Sequence, residues 1–398
     1  NGTGISNAGA ITNSSSTAAT YAGSVALGSD SVIGSTVGAI TITGLVSASA
    51  SNYGLVFVGD KALTLSNTSN TLATIASASG LGALTIVNAA NLTIGSIVVN
   101  SVTYNGLNST GNISVKTTRD LTISQNVATT STSATASSPA LLLAAGSGDS
   151  VGNTTYNILL SGSPTFTVGS GGIADFYSGG FDQSNGLSSY IDSRSPKSYT
   201  YNAALTTQPS TAGYNVIYRG SPPIIYVTIV DSQSGTYGTA SSLAYWYSTS
   251  PTLYGTDYVP SSLSSFNTVQ TFTAGASSVT VNSGGLSGSI AISTALTSSV
   301  SANTYSLTLT PTLTLSGSGT SFQAGTTKSF IVNPKALNIS ITKAYDGTNS
   351  YTNANSYTLT GMANSETAPT ISSGSATIST VNVTSAPVSS FDTNTFAL

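Results

Sequence analysis

Three strings, KALTLS, ANLTIG and RDLTIS, begin at Lys61, Ala90 and Arg119, each 29 residues after the last. Set in register, the flanking apolar positions coincide as well: Leu55, Leu84 and Ile113; Phe57, Ile86 and Val115; Leu63, Leu92 and Leu121; Leu65, Ile94 and Ile123. Thr64, Thr93 and Thr122 fall between the last two sets. Each copy reads as two short strands, apolar at every second residue and joined by a polar corner, because alternation sends successive side chains to opposite faces. A unit this small cannot bury its apolar face alone. Stacked units can, each bonding to the next at about 4.8 Å, so that like residues form ladders. The period falls in the range of β-solenoids. The pattern therefore predicts an all-β chain opening with a parallel β-solenoid of period about 29. It also predicts an outward threonine ladder, and Leu92 buried between Leu63 and Leu121.

Weaker echoes extend the pattern. VALGSDSVIG from Val25 lies upstream, YNILL from Tyr156 and TFTV from Thr165 lie downstream, and the Ser/Thr tract Ala128–Ala140 reads as an outer loop. A disordered stalk would need no matched apolar positions, and 39% hydrophobic residues suffice for a core. Charged residues are 5% of the chain, against about 25% in an ordinary domain. Outer strand faces must therefore carry hydroxyls. The nine basic residues are scattered and the net charge is −3, which leaves no footprint for nucleic acid. Without Cys or His, thiol chemistry, imidazole bases and Cys/His zinc sites are excluded. No apolar run approaches the ~20 residues of a membrane helix, so no membrane span is expected. The opening at Asn1 reads as a mature or truncated piece of something longer.

The texture changes between Tyr190 and Pro223, where Pro222 and Pro223 forbid a central strand. This sets a boundary: residues 1–220 form the solenoid, 221–334 a second β unit, and 335–398, after an Asn-Pro hinge, a third. Expected strands in the second unit include QTFTA, SSVTVN, GSIAIS, TYSLTLTPTLTLSG and TKSFIV. Asp60 and Asp120 fall near equivalent corners, but with only Asn88 and Asn91 between them they read as solvated corners rather than a catalytic pair. GSGG at Gly169–Gly172 lacks the lysine of a phosphate loop. The Asp-Gly of Tyr345–Gly347 is a turn former, which leaves Tyr345 as a core aromatic. The richest aromatic stretch holds Tyr245, Trp246, Tyr247, Tyr254 and Tyr258, a candidate platform for a glycan or protein partner. Sequons at Asn67, Asn91, Asn108, Asn112 and Asn153 are candidate glycosylation sites.

Taken together, the LTIS-like ladder, TYG at Thr236–Gly238, NPKAL from Asn333 and KAYDGT at Lys343–Thr348 resemble the large bacterial surface adhesins of the filamentous haemagglutinin type. The resemblance implies a right-handed β-helix followed by YGX-type and YDG-type modules, the last lacking a closing strand. It implies export by two-partner secretion, an extracellular cell-surface location, and a role in attachment, aggregation or biofilm. The implied partner is a host or bacterial surface glycan or protein, with no enzymatic activity and no cofactor. Two rivals stand beside it. One is a structural filament subunit that self-associates into fibres. The other is a polysaccharide-active β-helix enzyme, which would need three or more carboxylates in one groove.

Overall fold

The computed structural model describes residues 2–4, 6, 8–48, 52–207, 211–252, 269–283, 286–315, 320–379, 391 and 393–398. It is all-β; among the described residues the single helix is Leu187–Asp192. Most of its strands in residues 11–218 lie in parallel ladders. The largest sheet runs through Ala19–Tyr21, Ile40–Ile42, Leu63–Leu65, Leu84–Asn88, Ile113–Thr117, Leu141–Ala144, Ile173–Ser178, Gly213–Tyr218 and Lys197–Thr200, every neighbour parallel. A second runs through Ile11–Thr12, Ser31–Gly34, Gly54–Val58, Thr74–Ser77, Leu92–Ile94, Leu121–Ile123 and Ile158–Leu160. The chain visits the two sheets in turn. A third, shorter ladder joins Leu107–Ser109, Val127–Thr129 and Phe166–Thr167, so part of the Ser/Thr tract is strand rather than loop.

Alternation supplies the core. Ile42, Leu65, Ile86, Val115, Leu143, Phe176 and Val216 follow one another down the larger sheet, all fully buried. The facing sheet contributes Leu55, Ile75, Ile94 and Ile123. Outward on the larger sheet, Thr20, Thr41, Thr64, Thr85 and Ser114 stand in register, so a hydroxyl ladder does form. Of the three threonines that the 29-residue alignment matches, Thr64 belongs to this ladder, while Thr93 and Thr122 pair with each other on the second sheet, next to Thr74.

The difference has one source. Leu84 pairs with Ile113, and Leu92 with Leu121, at the expected spacing. Leu63, however, pairs with Leu84, 21 residues on, and Leu55 pairs with Ile75. KALTLS therefore lies on the opposite sheet from ANLTIG and RDLTIS. The strand Thr74–Ser77, which the spacing does not reveal, supplies the missing rung between Gly54–Val58 and Leu92–Ile94. Leu92 is buried as expected, but its neighbour on that side is the Ala73 position, not Leu63. Asp60 and Asp120 consequently precede strands of different sheets and do not share a corner.

The next 29-residue step is long because it carries a hairpin. Ser96–Val99 pairs antiparallel with Val102–Asn105 across Asn100 and Ser101, whose φ of 48° and 63° give the mirror-image turn that suits a two-residue hairpin. Ile97 and Val99 pack onto Val32, Val56, Val58 and Ala76, the outer face of the second sheet. Gly54–Val58 is therefore buried on both faces, not on one. Gly54 lets the hairpin approach: a Cβ there would stand 2.7 Å from Ile97 Cδ1.

Beyond Pro223 antiparallel pairs dominate, with one parallel pair in each of two sheets. Gln270–Phe272, Leu243–Ser248, Ile224–Ile229 and Ser321–Ala324 form one sheet; Gln233–Thr236, Lys328–Asn333 and Asn303–Leu307 a second; Ser278–Ser283, Leu286–Ile292 and Leu309–Leu315 a third. They share an apolar cluster running from Ile225 to Val332, separate from the cluster of Leu27 to Tyr218. After Pro334 come Asn338–Thr342 paired with Ser356–Thr360, and Ser350–Thr352, Ser375–Thr377 and Thr393–Asn394.

Candidate functional site

The aromatic stretch does not offer the expected platform. Tyr245, Trp246 and Tyr247 lie on Leu243–Ser248, a strand flanked on both sides by its sheet neighbours, and are 3%, 7% and 0% exposed. Tyr245 sits edge-to-face with Tyr247 at 5.9 Å and with Phe272 at 5.3 Å, and burial pushes both tyrosine hydroxyls up in pKa. These rings are core: a central strand in a sandwiched sheet has no wet face. Tyr254 and Tyr258 lie outside the described residues.

The turn at Tyr345–Gly347 reverses its expectation too. Tyr345 is 65% exposed. The residue that goes in is Lys343, whose ammonium donates to Asp346 Oδ1 (2.8 Å), Thr348 Oγ1 (2.6 Å) and the Ser350 carbonyl (2.6 Å), and lies 5.3 Å from the centre of the Tyr351 ring. Those bonds hold the Asp346 carboxyl at about 2, with Lys343 the largest cause. Gly347 takes φ +77° in this turn. The motif is a lysine-centred knot that presents Tyr345 outward.

The sequons differ in how their amides are used. Asn67 Nδ2 donates to the Thr43 carbonyl (2.9 Å), and Asn112 Nδ2 to Ser138 Oγ (3.0 Å). Asn91 and Asn108 are exposed. Asn91 borders a shallow groove of about 380 Å³ whose lining includes Ser47, Asn52 and Thr71. Asn153 Oδ1 accepts from the Thr155 amide (2.9 Å). Asp60 is exposed beside Lys61 at 3.0 Å, which lowers its pKa, while Asp120 Oδ1 accepts the Asn157 amide at 2.7 Å. The two carboxylates thus serve separate corners, without a shared groove.

Spacing alone does not reveal the last turns of the parallel ladders. There Phe166, Phe176, Tyr190 and Tyr214 form an aromatic plug, with ring centroids 4.9 Å apart for Phe166–Phe176 and Phe166–Tyr190 and 6.5 Å for Tyr190–Tyr214. The Arg194 guanidinium lies 4.2 Å over Tyr190 and 5.8 Å from Tyr214. Nearby, Arg219 is 3% exposed and donates to the carbonyls of Ala145 (2.6 Å), Tyr156 (2.7 Å) and Asn153 (3.0 Å), with Asp149 at 3.5 Å. Asp175 is 1% exposed, accepts from Asn215 Nδ2 at 2.9 Å, and is pushed up to about 6 by burial. The density of tyrosine between residues 177 and 218 is the sequence signal that marks this region.

No family model matches the chain, and neither a curated protein nor a solved structure does. No helix among the described residues is long and apolar enough to cross a membrane.

Proposed function

We propose that this chain is part of a secreted bacterial cell-surface adhesin or matrix protein, non-enzymatic, in which a right-handed parallel β-solenoid serves as a rod. Two smaller β units, 221–334 and 335–398, follow it and supply spacing or contact. The observation that carries this reading is the pair of parallel ladders extending strand by strand through residues 11–218. Each added rung lengthens such a stack by about 4.8 Å while exposing little new apolar surface. That is an efficient way to gain reach, and the hydroxyl-rich, charge-poor exterior suits a surface meant to touch other surfaces. The partner is a surface glycan or protein. With Tyr245, Trp246 and Tyr247 in the core, contact falls to exposed groups such as Tyr345.

The test is attachment. Beads coated with the purified chain should bind cells or a glycan array in a saturable way, and electron micrographs should show single elongated particles. Binding no greater than that of a protein-free bead would reject the adhesin. Ordered fibres in the micrographs would favour a filament subunit instead.

A further inference from the structure

The Thr236–Gly238 turn meets the last segment of the chain in detail. Gly238 takes φ +84°, a left-handed backbone that favours glycine, and its amide donates to the Ser298 carbonyl at 3.0 Å. Facing it is a second tight turn, Ala363–Glu366. Asn364 and Ser365 both have positive φ (50° and 58°), and the Glu366 amide donates back to the Ala363 carbonyl at 2.9 Å.

Independent observations tie the two turns together. A Cβ on Gly238 would stand 2.3 Å from the Ala363 Cβ, and Ala363 is 5% exposed. Asn364 Nδ2 donates at 2.8 Å to the Ser298 carbonyl, the same oxygen that takes the Gly238 amide. The Tyr237 hydroxyl donates to Glu366, the only glutamate in the chain. Lys335 Nζ reaches the Met362 carbonyl at 3.4 Å. The connection itself, Asn333 to Ala336, is exposed and carries no strand past Asn333, so it cannot fix an angle alone.

We propose that the Thr236–Gly238 turn is a docking socket for the Ala363–Glu366 turn, holding the final segment at one angle against the sheets of residues 224–333. The socket selects its occupant by shape and chemistry. It takes a small side chain where Gly238 leaves space, a left-handed pair whose amide side chain reaches Ser298, and a carboxylate for Tyr237. Glycine is required at 238 for two reasons: the backbone is left-handed, and the opposing atom is a Cβ, which cannot rotate away.

Trypsin reads the joint. Lys335 lies in the connection; Lys343 lies inside the final segment, with 8% of its side chain exposed, and controls for that segment's fold. Trp246, the sole tryptophan and 7% exposed, controls for the sheets of 224–333. Ala363→Leu should speed cleavage after Lys335 by about tenfold, as expected for the loss of about 1.4 kcal/mol of docking. It should also raise the radius of gyration in solution scattering, with Lys343 cleavage and Trp246 emission unchanged. Tyr237→Phe, which removes no packing volume, should act in the same direction by a smaller factor. If Ala363→Leu disturbs either control, Tyr237→Phe combined with Glu366→Gln decides by the same readout. Parental cleavage rates and scattering in these variants would overturn the socket.

Discussion

At the scale of single residues, the buried charges near the end of the ladders carry the sharpest consequences. Asp175 lies on the outward side of Ile173–Ser178, yet Ala203 and neighbouring apolar groups cover that face and burial raises its pKa from 3.8 to about 6. The folded form then holds its proton over a range where the unfolded chain has lost it. Stability from this group is complete below about pH 4 and falls as pH rises toward 6, by roughly 3 kcal/mol over about two pH units. Asp175→Asn keeps an acceptor for Asn215 without the charge. Thermal melts should therefore show the parent losing stability between about pH 4 and 6 relative to the variant; parallel pH profiles would refute the assignment. Arg219 makes the opposite case. Its buried guanidinium satisfies the carbonyls of Ala145, Asn153 and Tyr156, and removing it orphans them. Arg219→Met should cost roughly 3–5 kcal/mol in denaturant unfolding, and a loss under 1 kcal/mol would show that water replaces it.

At the scale of elements, the pairing of Leu84 with Ile113 and of Leu92 with Leu121 was legible because the alternation of apolar residues is the ladder. The register of Leu63 was not. KALTLS and ANLTIG look alike since every inward rung wants Leu-Thr-Leu or Leu-Thr-Ile, whichever sheet it joins. Thr74–Ser77 hides because its Ala and Ser do not announce an apolar stripe. Tyr245 and Tyr247 were readable as aromatic but not as buried, since the strands on either side come from distant sequence. The revised register has consequences. Leu92→Ala should cost roughly 2–5 kcal/mol, the range for a truncated buried leucine, and a double-mutant cycle should couple Leu92 to Leu121 but not to Leu63. Equal coupling to both would restore the uniform 29-residue stack. The hairpin makes a second case. Gly54→Val pushes against Ile97, and overpacking of this kind costs roughly 1–3 kcal/mol. Hydrogen exchange should speed at Ile97–Val102 while Leu84–Asn88 stays protected; unchanged exchange at the hairpin would mean that Ile97 simply turns aside.

At the scale of the whole molecule, a parallel stack has an end problem, because its last rung leaves backbone donors and acceptors ready for another chain. The end near residues 158–218 meets it in several ways at once. Lys197–Thr200 precedes Gly213–Tyr218 in sequence but lies outside it in the sheet, so the edge strand is laid down first and the inner one is threaded back. The edge begins on a charge, Lys197, held 3.3 Å from Asp192. The third ladder ends at Phe166, whose amide donates to the Tyr190 hydroxyl at 2.8 Å and whose carbonyl accepts from Tyr190 at 3.1 Å and Tyr214 at 3.0 Å. Two tyrosines thus occupy the backbone groups that a stacking partner would need, and Arg194 sits over both rings. Side chains that cap a ladder this way oppose head-to-tail growth through this end, since a rung from another copy would have to displace them and desolvate a cation. Removing the cap should reverse the balance. Tyr190→Ala combined with Tyr214→Ala frees the Phe166 backbone and uncovers the Phe166 and Phe176 rings, creating an open edge beside an apolar patch. Light scattering of this variant should show mass rising with concentration where the parent stays constant, with circular dichroism confirming that the strands persist. A variant that remains at the parent's mass at every concentration would mean that the charged edge at Lys197 and Asp192 closes this end without the tyrosines.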